Sequence, residues 1–266
     1  MDKSDLINKG ADVTGSLAGA GVGLAVAGPP GALWGAIAGP VVTNVIKDVA
    51  KRALSSRERI RLDNAITYIE AGIVENINSG RVVRQDGFFE GDNNFSSNGA
   101  ELLDGVLLKC RAQYQEKKVR LISNIFKNVA FDDSISPLIA HQILNLAEGL
   151  TYQNLCLLGY FARKAEFVDF SPYEASLSSA RYMKPSPDWL TKSETWEVFQ
   201  DMMSLYRQSL IKDGSGSSHL MADTLKPSEM VLEIRGQAVV QLMELVQIPQ
   251  EDILAVVGPI GQYVKQ

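Results

Sequence analysis

The chain has 266 residues, of which 45% are apolar and 21% are charged, and its formal net charge is −5. This composition excludes a disordered chain and is typical of one or two globular units with buried cores. Two cysteines are too few for a disulfide framework, and two histidines are too few for a histidine-rich metal site. An acidic chain is also a poor binder of nucleic acid. We therefore expect no cofactor, no metal and no nucleic-acid partner.

Residues 1–46 are predicted to form an apolar helical hairpin. No ionisable side chain occurs in the 34 residues from Val13 to Ile46, and Pro29 and Pro30 divide this run into two arms. Each arm carries three glycines at four-residue spacing, which places them on one helix face and permits close packing of another backbone. The predicted self-association residues are Gly15, Gly19, Gly23, Gly31, Gly35 and Gly39.

The hairpin and the residues after it predict contact with a membrane surface. An arm of about 16 residues is roughly 24 Å long, against a hydrocarbon core of about 30 Å, so we expect the hairpin to enter and return on one side. Basic residues that follow such a segment favour the cytoplasmic side and attract anionic headgroups. The alternative is a charged helix that simply follows a small-residue core helix. The predicted membrane-surface residues are Trp34, Lys47, Lys51, Arg52, Arg57, Arg59 and Arg61.

Residues 47–131 are predicted to form an amphipathic helical region. A helix begins near Ser56, and large apolar residues follow at three- and four-residue steps until Gly80. Residues 81–98 lack a period and predict an exposed loop, whose phenylalanines could dock on the core or on a partner. One long helix, or two nearly collinear helices, should cover 99–131, with Tyr114 on the apolar face. The basic cluster of Lys109, Arg111, Lys117, Lys118, Arg120 and Lys127 is expected on a solvated helix face, with lipid headgroups or RNA as the alternative partners.

Residues 132–266 are predicted to form a helical, winged-helix-like region. Helices should begin at Pro137 and after Thr151, and a further helix should cover 193–208 with Trp196 among its apolar positions. Short strands near 209–212 and 230–234 flank a Gly/Ser loop, and a helix should open after Gly236. This order resembles winged-helix domains. Because the helix in the recognition position has no basic residue before Arg163, we expect protein contact rather than DNA contact.

Catalytic chemistry has little support in the sequence. Cys110 and Cys156 lie inside apolar helical runs, where a thiol is usually buried and inert. His141 has no cysteine, aspartate or second histidine at ligand spacing. The glycines of the first arm lack the spacing of a nucleotide-binding loop. We therefore predict no catalytic residue and no enzyme activity.

The paired glycine arms, the basic link and the helical body together resemble uncharacterised bacterial proteins in which a glycine-zipper membrane hairpin is joined to a cytoplasmic α-helical body. The resemblance implies a mainly α fold with a glycine-rich N-terminal helical hairpin, a multi-helix body and a small winged-helix-like β-hairpin near the C-terminus. It also implies a homo-oligomer at the cytoplasmic face of the inner membrane that binds anionic lipids. A membrane-perturbing role in stress or anti-phage defence belongs to the same analogy.

A second hypothesis places the chain in the cytoplasm as an α-helical adaptor or regulatory protein. In that case the glycine arms pack in its own core or in an oligomer interface, and the C-terminal region binds a regulatory protein.

Overall fold

A computed structural model describes residues 44–46, 48–49, 55–91, 96–167, 189–215 and 226–261. In these residues the chain is mainly helical, with a two-stranded antiparallel sheet near the C-terminus, which confirms the predicted fold class. Residues 1–43 of the predicted glycine-rich hairpin lie outside the described residues. The chain divides into two compact units, Met1–Gly149 and Leu150–Gln266.

The first unit is built from α1 (Ser56–Asn78), α2 (Asn98–Ala112), α3 (Glu116–Val129) and α4 (Pro137–Gly149). Helix α1 packs on α2 and α3, and α4 packs on the same two helices. The predicted apolar stripe of α1 is confirmed, because Leu62, Ile66, Ile69 and Ile73 are all buried. The sequence grouped residues 132–149 with the C-terminal region, whereas their helix α4 completes the core of the first unit.

Helix α3 lies at the centre of the first unit and is buried on every face from Leu121 to Val129. The prediction of a solvated basic face is therefore wrong for Lys118 and Lys127, which are only 2% and 7% exposed. Lys118 Nζ donates to the backbone oxygen of Glu148 at 3.1 Å, and burial lowers the pKa of this lysine. The alkyl chain of Lys127 lies so close to Gly72 that a Cβ there would be 1.9 Å from its Cδ. Three neighbouring helices cover α3. The hydrophobic periodicity of its own sequence cannot show how many helices pack against it.

Helices α2 and α3 are separate and pack against each other, so the prediction of one long or two nearly collinear helices is wrong. The chain leaves α2 at Gln113, whose backbone is extended, and Gln113 Oε1 accepts a hydrogen bond from the amide of Gln115 at 3.3 Å. Tyr114, predicted on the apolar face, stands in this break and is 79% exposed. Neither glycine nor proline marks the break, so the sequence carries no signal for it.

The segment between α1 and α2 is less exposed than its sequence predicted. Val83, Arg84, Phe88 and Phe89 are buried, and the two phenylalanine rings form an edge-to-face pair 5.0 Å apart. Docking of phenylalanines on the core is thereby confirmed for these two, whereas Phe95 lies outside the described residues. Burial of these aromatic rings holds the segment in place, although its sequence has no hydrophobic period.

Arg84 fastens this segment to the end of α3. Its Nη1 donates to the backbone oxygens of Asp132 and Ile135 at 3.0 and 2.9 Å, and its guanidinium lies 4.2 Å from the centre of the Phe88 ring. It also forms a two-point ion pair with Asp86, which lowers the pKa of that carboxyl to about 2. One buried side chain thus joins this segment to the connection that follows α3.

The second unit is built from α5 (Tyr152–Ala162), a 3₁₀ turn (Lys164–Glu166), α6 (Trp189–Arg207), β1 (Ile211–Asp213), β2 (Met230–Leu232), α7 (Ile234–Met243), a second 3₁₀ turn (Leu245–Gln247) and α8 (Gln250–Gly261). The strands pair antiparallel with Lys212 opposite Val231, as predicted. Lys164 Nζ donates to the backbone oxygens of Ser228 and, at 3.0 Å, of Met230, and so fastens the first 3₁₀ turn to β2. Residues 216–225 of the predicted wing lie outside the described residues.

Helix α7 begins at Ile234, three residues earlier than predicted. Glu233 is its N-cap, and Gly236 lies inside the helix. The glycine is required there because a Cβ would come within 1.9 Å of the backbone oxygen of Leu210, just before β1. Gly236 therefore marks a close contact between helix and hairpin, and not a helix start.

Candidate functional site

The start of α1 is a firmly capped helix end. Ser55 Oγ accepts a hydrogen bond from the amide of Glu58 at 3.2 Å, and Glu58 Oε2 accepts one from the amide of Ser55 at 2.8 Å. This reciprocal capping box makes Ser55 the N-cap of α1, and the helix begins at Ser56 as predicted. Glu58 also approaches Arg111 of α2, with 3.9 Å between Oε1 and Nε.

The three predicted arginines of this helix have different environments. Arg57 and Arg59 are exposed, whereas Arg61 is half-buried. Arg61 Nη1 donates to the backbone oxygen of Gln113, and its Nε donates to the backbone oxygen of Arg57 at 3.2 Å. Arg61 therefore fastens α1 to the end of α2, a role that its sequence did not indicate. Arg57 and Arg59 remain as the exposed cations of the predicted membrane-surface set.

The other predicted residues of this set lie outside the described part of the chain. They are Trp34, Lys47, Lys51 and Arg52, together with Gly15, Gly19, Gly23, Gly31, Gly35 and Gly39. Their roles in lipid contact and self-association stay predictions. Just before α1, the described residues Ile46 and Val49 are 6% and 0% exposed, so the chain is already anchored in apolar surroundings there.

An exposed apolar residue at the start of α1 escaped the sequence reasoning. Ile60 is 55% exposed and lies three residues after Arg57, so both side chains occupy one outer face of the helix. Ile60 does not belong to the apolar stripe of Leu62, Ile66 and Ile69. This departure from the period is the signal by which the sequence could have identified it. The helix start therefore combines exposed charge with exposed apolar surface.

The thiols of the chain are inert in this fold. Cys110 and Cys156 are fully buried, and burial raises the pKa of Cys110 to about 12. Cys110 Sγ donates to the backbone oxygen of Val119, with 3.6 Å between sulfur and oxygen. A thiol with such a pKa is not a nucleophile at neutral pH. The predicted location of both cysteines inside apolar helices is confirmed.

The strongest polar cluster of the second unit surrounds the start of α5. Thr151 and Asn154 form a second capping box, and Tyr152 Oη donates to Asp252 Oδ2 at 2.8 Å. Burial and the hydrogen bond to Asp252 raise the pKa of Tyr152, so the phenol stays neutral. Burial likewise raises the pKa of Asp201 on α6, an effect that Asn154 opposes. These contacts join α5 to α6 and α8.

The described residues contain no group of three or more His, Cys, Asp or Glu side chains placed to hold a metal ion. Among the helices of the described part, none has both the length and the apolar character needed to cross a bilayer.

These features define a mainly helical protein of two units whose helix α1 presents exposed arginines at its start. Comparison of the chain with protein-family models, with curated protein sequences and with solved structures gives no match. Function must therefore be argued from the residues themselves.

Proposed function

We propose that this chain is a self-associating protein that binds the cytoplasmic surface of anionic membranes through its N-terminal quarter, while its two helical units act as a regulatory body without catalytic activity. One observation carries the proposal. The exposed Arg57 and Arg59 lie at the start of α1, closely after a 34-residue run without any ionisable side chain. Basic residues beside an apolar segment are what attraction to anionic headgroups requires.

Self-association supports this function energetically. Each basic residue near an anionic surface contributes about 1 kcal/mol, and one short glycine-rich arm inserts only marginally. An oligomer multiplies these weak contributions because its copies bind the same surface together. The two glycine triplets offer the close helix contact that would hold the copies. The resemblance stated above extends the proposal to a membrane-perturbing effector in bacterial stress or anti-phage defence.

The test compares two pairs of arginine substitutions in the full chain. Arg57→Gln with Arg59→Gln should weaken binding to anionic vesicles by about 2 kcal/mol, which is roughly thirtyfold, and should leave binding to neutral vesicles unchanged. Arg61 is kept because it fastens α1 to α2. The matched control is Arg207→Gln with Arg235→Gln, which removes two exposed arginines from the second unit. Vesicle cosedimentation measures binding, and dye release separates a surface anchor from a membrane-disrupting hairpin.

Equal losses in both pairs, or full-length protein that does not bind anionic vesicles, would contradict the membrane proposal. Self-association is tested separately by light scattering of Gly19→Leu and Gly35→Leu. Each leucine should block the close contact between helices, and it also makes the arm more hydrophobic. A lower apparent mass of the oligomer would therefore result from the lost contact and not from a weaker hydrophobic effect. If the apparent mass of the oligomer were unchanged in both variants, the glycine arms would be excluded as the contact between copies.

A second candidate function is a protein-binding adaptor. It is favoured by the exposed apolar residues of the second unit, where Ile234 is 80%, Trp196 53% and Val231 40% exposed. Exposed apolar groups of this kind mark protein contacts when they cluster. Removal of residues 1–46 separates the two functions. If the chain is a membrane protein, the truncated chain should no longer be found in the membrane fraction. If the chain is an adaptor, the truncated chain should distribute between the fractions as the full chain does.

A further inference from the structure

The break between α2 and α3 holds Tyr114 in an exposed position. Gln113, the residue before it, is buried and has an extended backbone, and its Oε1 accepts a hydrogen bond from the amide of Gln115. Because successive side chains of an extended chain point to opposite sides, burial of Gln113 turns Tyr114 outward, where it is 79% exposed. The exposure of this phenol ring is therefore imposed by the fold.

Arg61 brings this break next to the start of α1. Its Nε donates to the backbone oxygen of Arg57 at 3.2 Å, and its Nη1 donates to the backbone oxygen of Gln113. One guanidinium therefore bridges two backbone segments that are far apart in the sequence. Since Arg57 is exposed and Tyr114 follows Gln113, an exposed cation and an exposed aromatic ring share one corner of the first unit.

This corner is basic in a chain that is acidic overall. Residues 55–61 and 111–117 carry five cations and two carboxylates, a local net charge of +3 against −5 for the whole chain. One of the two carboxylates, Glu58, accepts hydrogen bonds in the cap of α1 and lies 3.9 Å from Arg111. An anionic surface is therefore attracted to this corner, whereas the same corner of a second copy would be repelled. The five cations are Arg57, Arg59, Arg61, Arg111 and Lys117.

The corner also exposes side chains that suit the boundary between water and lipid. Ile60 is 55% exposed on the outer face of α1, three residues after Arg57. Tyr114 joins an apolar ring to a polar hydroxyl, and tyrosine is enriched at membrane–water interfaces for this reason. Cations beside exposed apolar groups are the composition of surfaces that bind peripherally to anionic membranes.

We propose that Tyr114 and Ile60 insert into the headgroup region of an anionic membrane, while Arg57 and Arg59 bind the lipid phosphates. Charge complementarity decides the occupant, because the corner carries net positive charge and the cytoplasmic leaflet carries negative charge. The inference rests on the membrane binding proposed above and extends it to the break between α2 and α3. The first helical unit then lies on the membrane by this corner, and is not merely tethered to it through the N-terminal hairpin.

A fluorescent label in the full chain tests the location of residue 114. Tyr114→Cys is labelled with nitrobenzoxadiazole, whose emission shifts to the blue when it leaves water, and the buried Cys110 and Cys156 stay unlabelled. We expect a blue shift with anionic vesicles, quenching by lipids that carry a nitroxide at headgroup depth, and no shift with neutral vesicles. The matched control is Ser79→Cys at the exposed far end of α1, where the label should stay in water.

Vesicle cosedimentation tests the contribution of the ring to binding. Tyr114→Ser should weaken binding to anionic vesicles about tenfold, which corresponds to burial of roughly 60 Å² of apolar ring surface. Leu138→Ser is the matched control, because it removes an apolar side chain that is 68% exposed on α4 and should leave vesicle binding unchanged. Circular dichroism should show equal helicity in both variants, since neither side chain belongs to the core.

Two results would overturn the contact of Tyr114 with lipid. One is a label at residue 114 that stays in water while the full chain is bound to anionic vesicles, and the other is equal vesicle binding by Tyr114→Ser and the unchanged chain. A lower oligomer mass for Tyr114→Ser in the second case would assign the corner to contact between copies. If Arg57→Gln with Arg59→Gln still weakens vesicle binding, only this inference fails. A full chain that does not bind anionic vesicles would refute the proposed function as well.

Discussion

Glu70 offers a quantitative test of the packing of α1. Its Oε1 atom is buried and accepts no hydrogen bond, and burial raises the pKa of this carboxyl to about 7. In the unfolded chain the group titrates near 4.5, so between these two values the folded state holds a proton that the unfolded state has lost. Stability therefore falls as the pH rises from 4.5 to 7, and it stays low above pH 7.

The size of this effect follows from the two pKa values. A difference of about 2.5 units corresponds to roughly 3 kcal/mol, and partial access of solvent reduces the expected cost to about 2 kcal/mol at pH 8. Glu70→Gln removes the charge and should recover about this amount at pH 8, with little change at pH 4.5. Urea unfolding followed by circular dichroism measures the free energy, and hydrogen exchange of the α1 amides assigns the change to this helix.

Two further variants separate charge from shape. Glu70→Met replaces the carboxyl by an apolar side chain of similar length and should give the same gain at pH 8. Glu75→Gln removes an exposed carboxylate from the same helix and should change stability by less than about 0.5 kcal/mol. If the gain from Glu70→Gln were equal at pH 4.5 and pH 8, ionisation of a buried carboxyl could not be its cause.

Four other perturbations test three separate parts of the fold. Gly236→Ala should cost about 3 kcal/mol or more, because its Cβ would overlap the Leu210 oxygen, and thermal unfolding of the second unit should register the loss. Arg84→Met should cost about 2 to 3 kcal/mol by removing the hydrogen bonds from its guanidinium to the backbone oxygens of Asp132 and Ile135. The Arg84 ion pair stabilises the fold above pH 3.8, and acid titration should lose that contribution as the pH falls to 2. Cys110 and Cys156 should not react with a thiol reagent at pH 8 until urea unfolds the chain.

Each of these predictions has a control in the same region. Gly258→Ala introduces a Cβ that meets nothing within 4 Å, so it should be neutral or slightly stabilising. Arg81→Met removes a more exposed arginine from the same segment as Arg84 and should cost less than about 1 kcal/mol. Ser79→Cys places a thiol on the exposed end of α1, and this thiol should react in the native protein. Equal behaviour of a control and its test variant would refute the corresponding packing argument.

Local signals in the sequence located most helix starts. Ser136-Pro137 and Thr151 precede helices where their chemistry predicts, since a cap needs only the side chain and the amides two or three residues away. The same reasoning misplaced the start of α7. At Gly236 a glycine that serves contact with Leu210 was interpreted as a boundary. The sequence therefore predicts a helix boundary best when the boundary residue contacts its own helix and not a distant part of the chain.

The candidate site divides in the same way. The sequence predicted exposed charge at the start of α1, and Arg57 and Arg59 are exposed. It could not predict that Arg61 binds the backbone oxygen of Gln113, because the two residues are 52 positions apart. It likewise could not separate Trp196 from Phe199, since both are large and aromatic, and only the packing of α6 leaves the first of them exposed.

The sequence by itself determined the helical class, the periods of the buried stripes, the capping residues and the long run without ionisable side chains. These are properties of neighbouring residues along one chain, and they need no knowledge of the remaining elements. Tertiary structure alone decided that Lys118 and Lys127 are buried, that the chain breaks at Gln113 and that Arg84 fastens a loop to α3. Each of these features depends on which helices and loops pack against a given surface. That packing is decided only by contacts between residues that are distant in the sequence.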